Sequence, residues 1–132
     1  MTENVATPLS KEELDYFKRL LQRKRAEAEE ELDKLRGAQS NLNESDDADY
    51  SSITHHVGDV ASDTQESELN YIQIERTREY ILQINEALER IEDKTYGVCQ
   101  ATGKPIAKGR LEVVPHTRYS IEAKQRRLVK DN

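Results

Sequence analysis

The sequence predicts a mainly α-helical protein, built as a long antiparallel helical hairpin (a coiled coil) with a small ββα-like knuckle at its base. Three observations carry this prediction. Two stretches repeat apolar residues at heptad spacing, a polar connector separates them, and glycine and proline interrupt the C-terminal segment. Heptad repeats indicate helix-on-helix packing, whereas glycine and proline mark turns between short elements.

The composition suits long helices better than a globular domain. Hydrophobic and charged residues each make up 35% of the 132 residues, with no tryptophan and one phenylalanine. This is normal for helices with one apolar seam. No apolar run approaches the roughly 18 residues of a membrane span, and the polar start lacks a signal peptide's apolar core. With one cysteine and a net charge of −6, we expect a cytoplasmic protein that binds neither membranes nor specific DNA sequences.

The first helical pattern follows a short polar tail, residues 1–9. Ser10 and Glu13 form a capping box, which marks a helix start. The apolar residues that then recur at every seventh position are Leu14, Leu21, Ala28, Leu35 and Leu42. Repetition over four intervals predicts one long helix with a coiled-coil seam.

A second seam follows a polar, acidic connector. Periodicity stops between Asn43 and Gly58, and it resumes after Asp59 to Ser62. The apolar positions that then alternate spacings of three and four are Ile74, Thr77, Ile81, Ile84, Leu88 and Ile91. Two similar seams joined by one connector predict an antiparallel hairpin over residues 10–95, with its tip at about 43–62. Because the pairing is intramolecular, we expect a monomer.

Residues 96–132 form the predicted knuckle. Its pieces YGVC, PIA and LEVV read as β-like, and RYSIEAKQRRLV reads as a short closing helix. We expect an apolar cluster to hold it, made of Tyr96, Val98, Ile106, Leu111, Val113, Tyr119 and Ile121.

Four positions in the knuckle have the spacing of a zinc site. Cysteine at all four would give a four-thiolate zinc site, but they hold Cys99, Thr102, Ser120 and Ala123. One thiolate cannot hold a structural zinc. The sequence therefore predicts a degenerate zinc finger with no metal and no cofactor, in which Cys99 is a small apolar filler. We expect the hydroxyls of Thr102 and Ser120 to bond backbone amides of the knuckle.

The C-terminal segment resembles the zinc-finger segment of the DksA/TraR family, bacterial transcription factors that bind RNA polymerase. The residues that carry the resemblance are Tyr96, Gly97, Cys99, Gly103, Ile106, Arg110, Leu111, Glu112, Pro115, Ile121 and Lys124. With the hairpin, the resemblance covers about residues 10 to 128. It implies regulation of transcription through the polymerase secondary channel, with the coiled-coil tip near the polymerase active site.

The resemblance also implies where the partner is bound. At the tip the family carries Asp-x-x-Asp-x-Ala, and here the candidate residues are Asp59, Ser62 and Asp63, with the acids displaced from the family positions. The spacing of Asp59 and Asp63 puts both carboxylates on one helix face, where helix capping remains an alternative role. Independently of the resemblance, basic charge at the base suggests a polymerase-docking surface, with a solvated charged face as the alternative; the candidate residues are Arg110, Lys124, Arg126 and Arg127.

No catalytic constellation is visible, because the sequence has neither a nucleophile–base pair nor a phosphate-cradling glycine loop. We therefore expect a protein that is not an enzyme. The same scaffold would also suit a coiled-coil adaptor that binds another protein. A Gre-type transcript-cleavage factor is less favoured, since the 37 residues after Thr95 are too few for that family's second domain.

Overall fold

A computed structural model describes residues 6–48 and 57–126 of the chain, with side chains over 6–41 and 65–126. The helices of this described part are α1 (Lys11–Ala48), α2 (Val57–Asp93), α3 (Lys108–Val113) and α4 (Ile121–Gln125). The mainly α-helical class is confirmed. Although α1 and α2 have 38 and 37 residues, no helix in the described ranges is long and apolar enough to cross a membrane.

Helix α1 begins at the predicted capping box. The Ser10 backbone N–H donates to Glu13 Oε1 at 2.8 Å, and the Glu13 backbone N–H donates to Ser10 Oγ at 3.1 Å. These reciprocal bonds satisfy backbone donors that the first helical turn would otherwise leave unpaired. Leu9 and Leu14, on either side of the cap, are both buried.

The chain packs as two compact units. The terminal unit comprises Met1–Arg25 with Leu82–Asn132, and the central unit comprises Ala26–Ile81. Each unit contains part of α1 and part of α2.

In the central unit α1 and α2 run antiparallel. The Asn70 side chain bonds the Leu35 carbonyl, and the Gln39 side chain bonds Ser67, so partner numbers rise on one helix as they fall on the other. The apolar contacts between the helices are formed by Leu32, Leu35 and Ile74, with Ile81 packed against them. Ala28 and Leu35 are buried as the heptad predicts.

The terminal unit contains the largest buried side chains among the described residues. Those with almost no exposed surface are Tyr96, Leu21, Ile84, Leu111, Pro115 and Cys99. The rings of Phe17 and Tyr96 lie 5.6 Å apart, and the Tyr96 hydroxyl donates to the Pro115 carbonyl at 2.7 Å. The start of α1, the end of α2 and the C-terminal segment therefore share one core.

The knuckle contains less β structure than its sequence predicts. In the described segment, Val98 and Pro105 form an isolated antiparallel bridge, and the stretch LEVV lies mostly in α3. Burial of Leu111 against the core overrides the β propensity of its neighbouring valines. Two predicted cluster members, Val113 and Ile121, are exposed instead of packed, whereas the closing helix is present as α4.

Both long helices extend into the stretch predicted as the tip. Helix α1 continues to Ala48 and α2 begins at Val57, although the tip was expected at about 43–62. Residues 49–56 lie outside the described part of the chain.

Candidate functional site

Four positions of the knuckle have the spacing of a zinc site, and the fold brings two of them, Thr102 and Ser120, to the sulfur of a third, Cys99. Cys99 is fully buried, and the Ser120 backbone N–H donates to its Sγ at 3.3 Å. Burial by itself raises the pKa of this thiol, but hydrogen bonds from Thr102 and Ser120 outweigh it and bring the pKa to about 7. Cys99 is therefore a hydrogen-bond acceptor, and the prediction of a purely apolar filler is wrong.

The hydroxyl oxygens of Thr102 and Ser120 each accept a hydrogen bond from a backbone amide, as the sequence predicts. Thr102 Oγ1 accepts from the Lys104 N–H at 3.2 Å, and Ser120 Oγ accepts from the Ala123 N–H at 3.1 Å. The second bond makes Ser120 the N-cap of α4. Ala123, at the fourth position, is buried. Its backbone N–H donates to Ser120 Oγ, whereas its methyl group has no atom that could bind a metal.

Two contacts attach the knuckle to the start of α1. Lys108 forms an ion pair with Glu13, and the Tyr16 hydroxyl donates to Glu112 Oε1 at 2.8 Å. The Lys108 hydrogen bond holds the pKa of Glu13 below its usual value, while the Glu112 carboxylate raises the pKa of Tyr16. Sequence reasoning missed both contacts, because their partners are 95 and 96 residues apart. The Tyr16 bond gives Glu112, one of the residues that carry the family resemblance, a role in orienting the knuckle.

A group of cations surrounds His116 in the terminal unit. Burial, followed by the charges of Arg90, Lys124, Arg110 and Lys24, lowers the pKa of His116. Of the predicted docking residues, the structure thus brings Arg110 and Lys124 into one electrostatic cluster. Arg126 is exposed just after α4, and Arg127 lies outside the described residues.

Arg90 belongs to this cluster but was missed from the sequence. Its Nη2 donates to the backbone carbonyls of His116 and Thr117 at 3.4 and 3.3 Å, and burial lowers its pKa. The signal was its place in the last turn of α2, beside the seam residue Ile91. Arg90 therefore links the end of α2 to the loop before α4.

Charge divides unevenly between the two units. The terminal unit has 16 basic and 11 acidic residues, a net charge of +5, whereas the central unit has 4 basic and 15 acidic residues, a net charge of −11. The overall charge of −6 therefore conceals a basic unit. The predicted docking residues all belong to the basic unit and the predicted tip residues to the acidic one.

The predicted tip residues lie in the first turns of α2. Asp59, Ser62 and Asp63 fall within Val57–Asp93, and their side chains lie outside the described residues. Their assignment as a partner-binding tip stays a prediction.

Known proteins resemble this chain in sequence over about half of its length. Residues 94–127 match the family model described as the prokaryotic dksA/traR C4-type zinc finger. The RNA polymerase-binding transcription factor DksA of Caulobacter vibrioides is 40% identical over 70 residues, which is 53% of this chain and 49% of that protein. General stress protein 16O of Bacillus subtilis is 35% identical over 71 residues, covering 54% and 44%. The chain thus spans about half the length of these relatives.

A solved structure extends the likeness to most of the chain. The structure of transcription factor DksA2 from Pseudomonas aeruginosa superposes with a TM-score of 0.76 at 30% sequence identity. The match covers 89% of this chain and 84% of that one. It therefore includes the long helices as well as the knuckle.

The family match corrects the expectation that this chain has no cofactor. The matched model is a C4-type zinc finger, so zinc is the cofactor that the family implies. The residues at the four positions do not fit a four-thiolate site, because Cys99 alone carries a thiol and the hydroxyls of Thr102 and Ser120 already accept amide bonds. Among the described residues, no group of three or more His, Cys, Asp or Glu side chains is arranged to hold a metal ion.

The knuckle match and the near full-length structural match agree with each other. The motif from Tyr96 to Lys124 lies inside the matched segment, and the paired helices before it are part of the DksA2 likeness. The family predicted from the sequence is confirmed: this chain belongs to the DksA/TraR family.

Proposed function

We propose that this protein is a transcription regulator that binds RNA polymerase and is not an enzyme. The observation that carries the proposal is the likeness to transcription factor DksA2 over 84% of that chain, at 30% identity. The Caulobacter relative is an RNA polymerase-binding transcription factor. The protein would act as a monomer, since α1 pairs with α2 of the same chain. It would act in the cytoplasm.

The terminal unit supplies the docking surface in this proposal. Its net charge of +5 and its cluster of Arg110 with Lys124 favour an acidic protein surface. Arg110 is partly exposed, and a carboxylate of the partner that pairs with its guanidinium would form a charge-assisted bond, which is stronger than a neutral one.

The central unit supplies the acidic tip in this proposal. Its charge of −11 opposes contact with nucleic acid phosphates, so the protein would act on the polymerase and not on promoter DNA directly. Asp59 and Asp63, one helical turn apart, would enter the secondary channel. There they would perturb the electrostatics around the catalytic magnesium without supplying chemistry of their own.

A binding measurement with purified RNA polymerase tests the docking surface. We expect the parent protein to bind, and Arg110→Ala with Lys124→Ala to weaken Kd by about tenfold or more, because each charged contact contributes about 1 kcal/mol. Lys34→Ala with Arg36→Ala removes the same charge from exposed positions of the central unit and should change Kd by less than about threefold. A parent protein that does not bind polymerase would refute the proposed function and favour the adaptor.

A further inference from the structure

A layer of polar side chains interrupts the apolar seam of the central unit. Gln39 of α1 is only 5% exposed, and it meets Ser67 and Asn70 of α2. Asn70 Nδ2 donates to the Leu35 carbonyl at 2.8 Å and to Gln39 Oε1 at 3.1 Å, and Gln39 Nε2 donates to Ser67 Oγ at 2.7 Å. These three bonds tie the two helices together.

The layer adjoins the apolar cluster that holds the central unit. Leu35 belongs to that cluster and also offers its carbonyl to Asn70. A buried carboxamide is tolerated when its hydrogen bonds are made and is costly when they are not. The pairing of Gln39 with Ser67 and Asn70 therefore favours alignments of the helices that preserve it over alignments that break it.

The apolar residues alone do not distinguish all alignments of the two helices. Those of α1 recur at every seventh position, namely Leu14, Leu21, Ala28, Leu35 and Leu42. A slip of seven residues that moves Leu32 from Ile74 to Ile81 therefore keeps apolar residues opposite apolar residues. That slip, however, places Gln39 opposite Ile74 in place of Ser67. The Ile74 side chain cannot bond the Gln39 carboxamide.

We propose that the Gln39–Ser67–Asn70 layer specifies the register of α1 against α2. A single buried polar position has this role in some coiled coils, where it lowers stability but selects one alignment. A slip of one heptad would move α2 by about 10 Å along α1, and with it the segment that bears Asp59 and Asp63. The inference does not depend on the proposed function, since it concerns only the pairing of two helices.

The test replaces the layer with apolar side chains. In Gln39→Leu with Asn70→Leu, we expect Tm to stay level or rise by about 5 °C, while the amide resonances of residues 26–81 split into two sets or broaden. Gln73→Leu changes an exposed glutamine of the same helix and should keep one set of resonances. Asn70→Leu alone should lower Tm, because the buried Gln39 Oε1 then loses the hydrogen bond that Asn70 Nδ2 donates.

A distance measurement gives a second readout of register. Spin labels at Ser40 and Glu66, both exposed in the central unit, would be placed in a Cys99→Ala background. The parent should show one distance, and the double leucine variant should add a second, longer distance, because the slip moves one label about 10 Å along the helix axis away from the other. One distance and one set of resonances in the double variant would overturn the proposal. So would an unfolded double variant beside a folded control, since the layer would then be needed for stability itself.

Discussion

Replacing Tyr96 with Phe should measure what one buried hydrogen bond contributes to the terminal unit. Tyr96 is fully buried, and its hydroxyl donates to the Pro115 carbonyl at 2.7 Å. The Phe side chain retains the ring contact with Phe17 but leaves that carbonyl without its donor. Loss of the bond, together with an unsatisfied buried acceptor, should lower the free energy of unfolding by about 1–2 kcal/mol.

Urea denaturation followed by circular dichroism measures this change. With an m-value of about 2 kcal/mol/M, the midpoint should fall by roughly 0.5–1 M. Burial raises the pKa of Tyr96, so the hydroxyl stays protonated and the difference should be constant from about pH 6 to pH 9. Tyr71→Phe removes a hydroxyl from a half-exposed ring of α2 and should leave the midpoint unchanged. Equal midpoints for the two variants would refute this account of the knuckle.

Three further predictions follow from burial, charge and the tip. Ile84→Asp should destabilise the protein by several kcal/mol in urea titrations, because Ile84 has no exposed surface, whereas Leu82→Asp, at a position 50% exposed, should cost less than about 1 kcal/mol. Burial and nearby cations lower the pKa of His116 below 6.5. As the pH falls, the unfolded chain therefore takes up a proton at His116 before the folded chain does. Stability should therefore be full above pH 6.5 and fall below it, and His116→Asn should flatten this dependence of the urea midpoint. Asp59→Asn with Asp63→Asn should preserve polymerase binding but reduce the effect on promoter transcription in vitro; unchanged regulation would make the acids helix caps.

The sequence by itself determined the elements whose signals are local. The capping box at Ser10 and Glu13 and the heptad through Ala28 and Leu35 involve residues within two turns of one another, so spacing alone reveals them. The ordered motif from Tyr96 to Lys124 was enough to assign the family, because it contains many residues at set spacings. The hydroxyl-to-amide bonds of the knuckle are also local, spanning two or three residues.

Only the tertiary structure decided which distant side chains meet. Burial of Leu111 made a helix from a stretch with β propensity, and the Lys108–Glu13 pair joins residues 95 apart. The polar layer that includes Gln39 could not be read as a pair of partners, because α1 seen alone does not specify which residue of α2 lies opposite. Short-range periodicity is written in the chain itself, whereas the alignment of two helices depends on contacts that exist only once they have packed.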